Sequence, residues 1–129
     1  MDQSIIPSQW ASAVTDEHKY FEQLLTNFDG AADEPHTKSS GLQVLTSLVE
    51  FCIKHIAHEE QIMQAMKYEA MSAHVADQSR ILNELSNYLA NYELVGDGEL
   101  STIANSARNV LGKHQETFDD FLLQAIRSI

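Results

Sequence analysis

His55-Ile56-Ala57-His58-Glu59 lies inside a run that carries Leu45, Leu48, Cys52, Ile62, Met63 and Met66 at helical spacing. Apolar residues recurring at three- and four-residue steps predict an amphipathic helix with that stripe turned inward. His55 and Glu59 fall on the same stripe. Four residues make about one helical turn, so an imidazole and a carboxylate share a face and can reach one centre. An ionised carboxylate on a core stripe is costly unless something neutralises it. A metal ion would do so.

Three further helices are expected around this one. A short N-terminal arm over residues 1–11 comes first, with Pro7 breaking regularity and Trp10 anchoring it on the outer surface of the core. Thr15 followed by Asp16 and Glu17 reads as an N-cap with acids in the first turn, where they meet the helix dipole. That helix turns His18, Phe21, Leu24, Leu25 and Phe28 inward and stops near Asp29-Gly30. Ala31 to Gly41, with its Gly, Pro, Ser and Asp, reads as a loop. The helix already described then runs from about Leu42 to Tyr68. A third runs from about Met71 to Tyr92, with Met71, His74, Gln78, Ile81, Leu82, Leu85 and Leu89 on its stripe. Gly96-Asp97-Gly98 breaks the chain before the fourth. Its stripe is Leu100, Ile103, Ala107, Val110, Leu111, His114, Phe118, Phe121, Leu122 and Ala125. Four amphipathic helices with short connections predict an all-α, antiparallel up-down four-helix bundle, one domain over residues 1–129.

Composition narrows the function classes. The net charge of −11 argues against tracking nucleic-acid phosphates and against an anionic membrane surface. No apolar run approaches the ~20 residues that span a bilayer, so no membrane insertion is expected. The N-terminus, Met1-Asp2-Gln3-Ser4, lacks the basic and apolar regions of a secretory signal. Cys52 is the single cysteine, which excludes an internal disulfide and suits a reducing compartment. A cytoplasmic protein is the expectation.

Each expected helix places one histidine on its inward stripe: His18, His55, His74 and His114. A single histidine on an apolar face is most often a core residue with a satisfied nitrogen. Four of them, one per helix, point to a shared metal, since neutral imidazole is a common ligand of iron, copper, nickel and zinc. His36 falls in the first loop and reads as solvent-exposed. His58 lies one residue off the ligand face, for a surface or supporting role. Asp119 follows His114 by five residues, ~140° around an α-helix, so periodicity alone leaves it between a boundary acid and a ligand.

In order and spacing these residues resemble the hemerythrins, particularly the bacterial ones, over nearly the whole chain. The family pattern is a histidine on the first helix, His-x-x-x-Glu on the second, His-x-x-x-His on the third and His-x-x-x-x-Asp on the fourth. Here it reads His18, then His55 with Glu59, then His74, then His114 with Asp119. Glu59-Glu60-Gln61-Ile62-Met63 resembles the family's paired acids followed by methionine, and Tyr68 precedes His74 at a similar distance. The resemblance implies two iron ions inside the bundle, one served by His18 and His55, the other by His74 and His114. Glu59 and Asp119 would bridge them together with an oxo or hydroxo group, and exogenous water or an anion could complete the site. It also implies that Leu111 walls a dioxygen pocket.

The chain departs from the family at the second histidine of the third helix, where Gln78 stands. Its amide oxygen is a poorer donor than imidazole nitrogen. It could ligate, bind water or a small anion on the metal, or be an inert filler. Asp77 leans off the stripe and is a weaker substitute. Val110 and Gln115 replace a tryptophan and an isoleucine common around the fourth-helix histidine. Cys52, one turn before His55, reads as a small core residue rather than a thiolate ligand. A site with an exchangeable ligand near Gln78 should oxidise readily, which favours an oxygen or redox sensor. A dioxygen carrier or store is the alternative, and a di-iron enzyme acting on peroxide or nitric oxide a further one. For the domain itself a non-enzymatic role is expected, with dioxygen and small anions as ligands. A signalling output domain, such as a diguanylate cyclase, could follow residue 129.

Overall fold

A computed structural model describes residues 7–33, 38–95 and 100–129. Helix α1 spans Pro7–Asp33, α2 Lys38–Ala65 and α3 Met71–Val95. Helix α4, Leu100–His114, passes through a π turn, Gln115–Asp119, into α5, Asp120–Arg127. His114, Asp119 and Asp120 all keep right-handed helical backbone angles, so α4, the π turn and α5 form one continuous fourth rod. No strand occurs among the described residues, and the chain is a four-helix bundle. No helix of the described residues is long and apolar enough to cross a membrane.

Helix α1 packs on α2 and on both α4 and α5, α2 packs on α3, and α3 on α4. The core falls into two apolar clusters. One gathers Phe21, Leu25, Phe28, Leu45, Leu48, Ile81, Leu85, Tyr92, Ala107 and Leu111. The other gathers Trp10, Val14, Ile62, Met63, Leu122, Leu123 and Ile126. Along every helix the candidate metal-binding side chains stand between the two. His18 separates Val14 from Phe21, and His55 and Glu59 separate Cys52 from Ile62. His74 and Gln78 precede Ile81, while His114 and Asp119 separate Leu111 from Leu122. The bundle therefore has one buried polar layer between two hydrocarbon layers.

Several expected boundaries are corrected. The arm over residues 1–11 is helical from Pro7 onward, and Trp10 is buried. Proline at the first helical position removes an N–H that would have no intrahelical partner, so Pro7 opens the helix instead of breaking it. Thr15, Asp16 and Glu17 consequently lie inside α1 and do not cap it. The first loop is shorter than Ala31–Gly41, because α1 continues to Asp33 and α2 starts at Lys38. Gly41 is helical and close to the Tyr92 ring: a Cβ there would stand 2.7 Å from Tyr92 Cζ. Residues 1–6, His36 and Gly96-Asp97-Gly98 lie outside the described residues.

From Ile103 onward the stripe expected on the fourth helix holds as far as His114 and then shifts. Phe121 is 60 % exposed, Phe118 and Ala125 are only partly buried, and Leu123 and Ile126 are buried instead. A π turn adds one residue to a helical turn. One extra residue rotates everything downstream by ~100°, so 119, 122, 123 and 126 take the inward places that 118, 121, 122 and 125 would hold in an uninterrupted α-helix.

Candidate metal centre

The buried layer brings His18, His55, Glu59, His74, His114 and Asp119 together. Five of the six are buried, and the side chain of His18 is 15 % exposed. The two carboxylates divide their oxygens between two pairs of imidazoles. Glu59 Oε2 lies 3.1 Å from His55 Nε2 and 3.7 Å from His18 Nε2, while Glu59 Oε1 lies 2.9 Å from His74 Nε2. Asp119 Oδ2 lies 3.0 Å from His18 Nε2 and 3.9 Å from His55 Nε2. Asp119 Oδ1 lies 3.1 Å from His74 Nε2 and 2.9 Å from His114 Nε2. The result is two overlapping donor sets, one of His18, His55, Glu59 and Asp119, the other of Glu59, His74, His114 and Asp119. Within each set the donor atoms lie within 4.8 Å of one another.

His74 Nε2 and Glu59 Oε1 are hydrogen-bonded at 2.9 Å, and the other contacts are short but badly aligned for hydrogen bonding. His18 Nε2, His55 Nε2, His114 Nε2, Glu59 Oε2 and Asp119 Oδ1 are buried and make no hydrogen bond among the described residues. Buried polar atoms in native proteins are nearly always satisfied. Nitrogens and oxygens that converge without bonding one another fit a cation, and either set could hold one. Imidazole and carboxylate together suit iron, manganese or zinc.

The electrostatics agree. Burial alone would push the imidazoles toward neutrality, but the Asp119 and Glu59 carboxylates outweigh it. His18 and His74 are raised from 6.5 to about 9, and His55, which also meets Glu17, to about 12. Burial likewise opposes ionisation of the acids. The imidazoles win there too, holding Glu59 at about 2 and Asp119 well below the ordinary carboxylate range. The layer draws in positive charge, as protons or as metal, and metal binding must therefore displace protons.

Helix geometry delivers each donor differently. His55 and Glu59 are four apart in regular α-helix and share a face. His114 and Asp119 are five apart, and the π turn between them supplies the match: the Asp120 N–H donates to the Gln115 carbonyl, an i to i+5 bond. Asp119 thereby arrives inward, 1 % exposed. Phe118, one residue earlier, stacks on His114 with ring centroids 5.3 Å apart and meets His74 edge-on at 5.7 Å.

Two acids stand behind the histidines. Glu17 Oε1 accepts from His55 Nδ1 at 2.9 Å, and its Oε2 pairs with His58 Nδ1 at 2.8 Å. Asp77 Oδ2 accepts from His114 Nδ1 at 2.7 Å, while its Oδ1 accepts from Arg80 Nε at 2.9 Å. A carboxylate on the far nitrogen fixes the tautomer and turns Nε2 toward the centre. Sequence reading assigned Glu17 to a first turn and weighed Asp77 only as a poor ligand. The available signal was the general need of a buried ligand histidine for an acceptor, with unassigned acids beside His18 and Gln78. His58 has the supporting place expected of it.

Gln78 is 1 % exposed and donates from Nε2 to Glu59 Oε1 at 2.8 Å. It also lines a cavity of about 10 Å³, room for one water-sized molecule, with Phe21, Cys52, Ile81 and Leu111 among the walls. Burial pushes the Cys52 thiol up to about 11, which keeps it a protonated core residue. Searches of family models, of curated proteins and of solved structures return no match to this chain.

Proposed function

We propose that this chain is a hemerythrin-like domain that holds two iron ions, binds dioxygen and reports oxygen or redox state. The observation that carries the reading is the division of Glu59 and Asp119, each with one oxygen toward His18 and His55 and the other toward His74, where Asp119 also meets His114. Carboxylates shared in this way are bridges, and each metal would then have two imidazoles and two carboxylate oxygens. The reading includes an antiparallel up-down order of the helices. In its favour, α1 and α3 run from the Trp10 cluster toward the Phe28 cluster, whereas α2 and the fourth rod run the other way.

Bound iron would supply reversible electron transfer to dioxygen. The chain's own residues do the rest. His18, His55, His74 and His114 hold the metals, and Glu17 and Asp77 orient two of those imidazoles. Phe21, Ile81 and Leu111 give the ligand cavity apolar walls opposite a polar side of His55, Gln78, His114, Gln115 and Asp119. Gln78 occupies the place of a fifth imidazole and is committed to Glu59. A metal held by His74 and His114 would then lack a fifth-imidazole partner from this helix, which would favour ready oxidation and hence sensing over storage. A reducing cytoplasm suits the free Cys52 thiol. The fourth rod carries both His114 and Asp119 and could relay a change to an attached output domain. The apolar walls of Phe21, Ile81 and Leu111 favour reversible carriage as the second reading.

The test is anaerobic reduction of iron-loaded protein followed by air, watched by visible absorption, with metal measured on the same sample. About two irons per chain are expected, with oxidation that outpaces any stable dioxygen adduct and slows in Gln78→His. An adduct persisting for hours would favour carriage, and absence of metal after iron-replete expression would sink the proposal.

A further inference from the structure

The carboxamide of Gln78 has one end engaged and one end without a partner. Nε2 donates to Glu59 Oε1 at 2.8 Å. The amide N–H is the donor in this contact and the Glu59 carboxylate oxygen the acceptor. The amide cannot turn over without setting oxygen against oxygen. Oε1 is therefore directed away from Glu59, and it is buried with no donor among the described residues. A native interior rarely leaves an acceptor in that state.

The same side chain borders the cavity of about 10 Å³. The walls contributed by Phe21, Ile81 and Leu111 offer no hydrogen bond, and the Cys52 thiol is a weak donor. His55, His114 and Asp119, which also line it, belong to the metal donor sets, and beside Gln115 the unpartnered acceptor outside those sets is Gln78 Oε1. Small anions, expected from the sequence alone, bring further lone pairs to that oxygen. A molecule that retains an O–H satisfies it.

We propose that Gln78 makes this cavity selective for a small ligand that keeps a hydrogen-bond donor once bound, of the hydroperoxide class, over an aprotic anion of similar size. The inference rests on the di-iron reading above and names the ligand class of that site. Hydrogen peroxide would enter by exchange for water with release of one proton, and no electron moves in that step.

The experiment titrates oxidised, iron-loaded protein with hydrogen peroxide and, separately, with azide, followed by rapid-mixing visible absorption. Wild type, Gln78→Met and Gln78→Leu are compared, with iron measured on every sample. Wild type should bind peroxide more tightly than azide. Both variants should keep the wild-type iron content and lose roughly tenfold in peroxide affinity, the scale of one buried hydrogen bond, with azide unchanged or tighter. Parallel changes for the two probes would overturn the inference, as would tighter azide binding by wild type. Loss of about half the iron in both variants would make Gln78 a ligand and overturn it as well. Wild type without iron fails the di-iron reading itself, which is distinguishable because no probe spectrum then appears.

Discussion

Glu59 and Asp119 do at residue scale what no apolar pair could. Each is buried and ionised, and each offers one oxygen to His18 and His55 and the other to His74, where Asp119 also meets His114. Five of the six donors were legible in the sequence because residue type and stripe position identify a buried polar group without reference to its partner, whereas Asp119 was expected only through the family resemblance. Glu17 and Asp77 were not, since a carboxylate supporting a histidine on another helix has no fixed sequence distance from it. Their interactions are specific enough to test. Glu17→Gln or Asp77→Asn keeps shape and removes the charge behind His55 or His114. Metal affinity, measured by competition with a chelator, should fall roughly 10- to 100-fold in each. Affinity equal to wild type in both would show that these acids are surface pairs only.

At the scale of the element, the π turn Gln115–Asp119 sets both the site and the packing after it. An α-helical phase carried through from His114 predicts Phe121 inward, and with the extra residue it is exposed while Ile126 is buried. Sequence periodicity assumes a constant pitch, so beyond the turn it mis-phased Phe121, Leu123, Ala125 and Ile126 even though it recognised the helix and placed Leu122 inward. The register has a thermodynamic signature. Phe121→Ala should change unfolding stability by no more than ~0.5 kcal/mol, as an exposed substitution does. Ile126→Ala should cost about 2–5 kcal/mol. Denaturant unfolding of the two variants checks this, and the reverse order would mean that the fourth rod keeps α-helical phase throughout.

Across the whole molecule, the charged layer between two apolar clusters makes stability depend on what fills it. In the metal-free protein Glu59 titrates at about 2 instead of 4.5, so its contribution is present above about 4.5 and is lost as pH falls toward 2. His18 and His74 titrate at about 9 instead of 6.5, so theirs is complete below about 6.5 and is lost as pH rises through 9. Metal supplies the positive charge in place of those protons. The gap in melting temperature between metal-loaded and metal-free protein should therefore widen between pH 6.5 and 9, as followed by circular dichroism with and without chelator. A gap that stays constant over that range would count against a cation in this layer. By itself the sequence determined the helices and five of the six donors, because the period of apolar residues and the chemistry of each side chain are local properties. Only the tertiary structure decided which oxygen faces which imidazole, where the fourth helix changes pitch and which acids stand behind the histidines. Those depend on how separate helices meet, and chain position does not encode distances across a core.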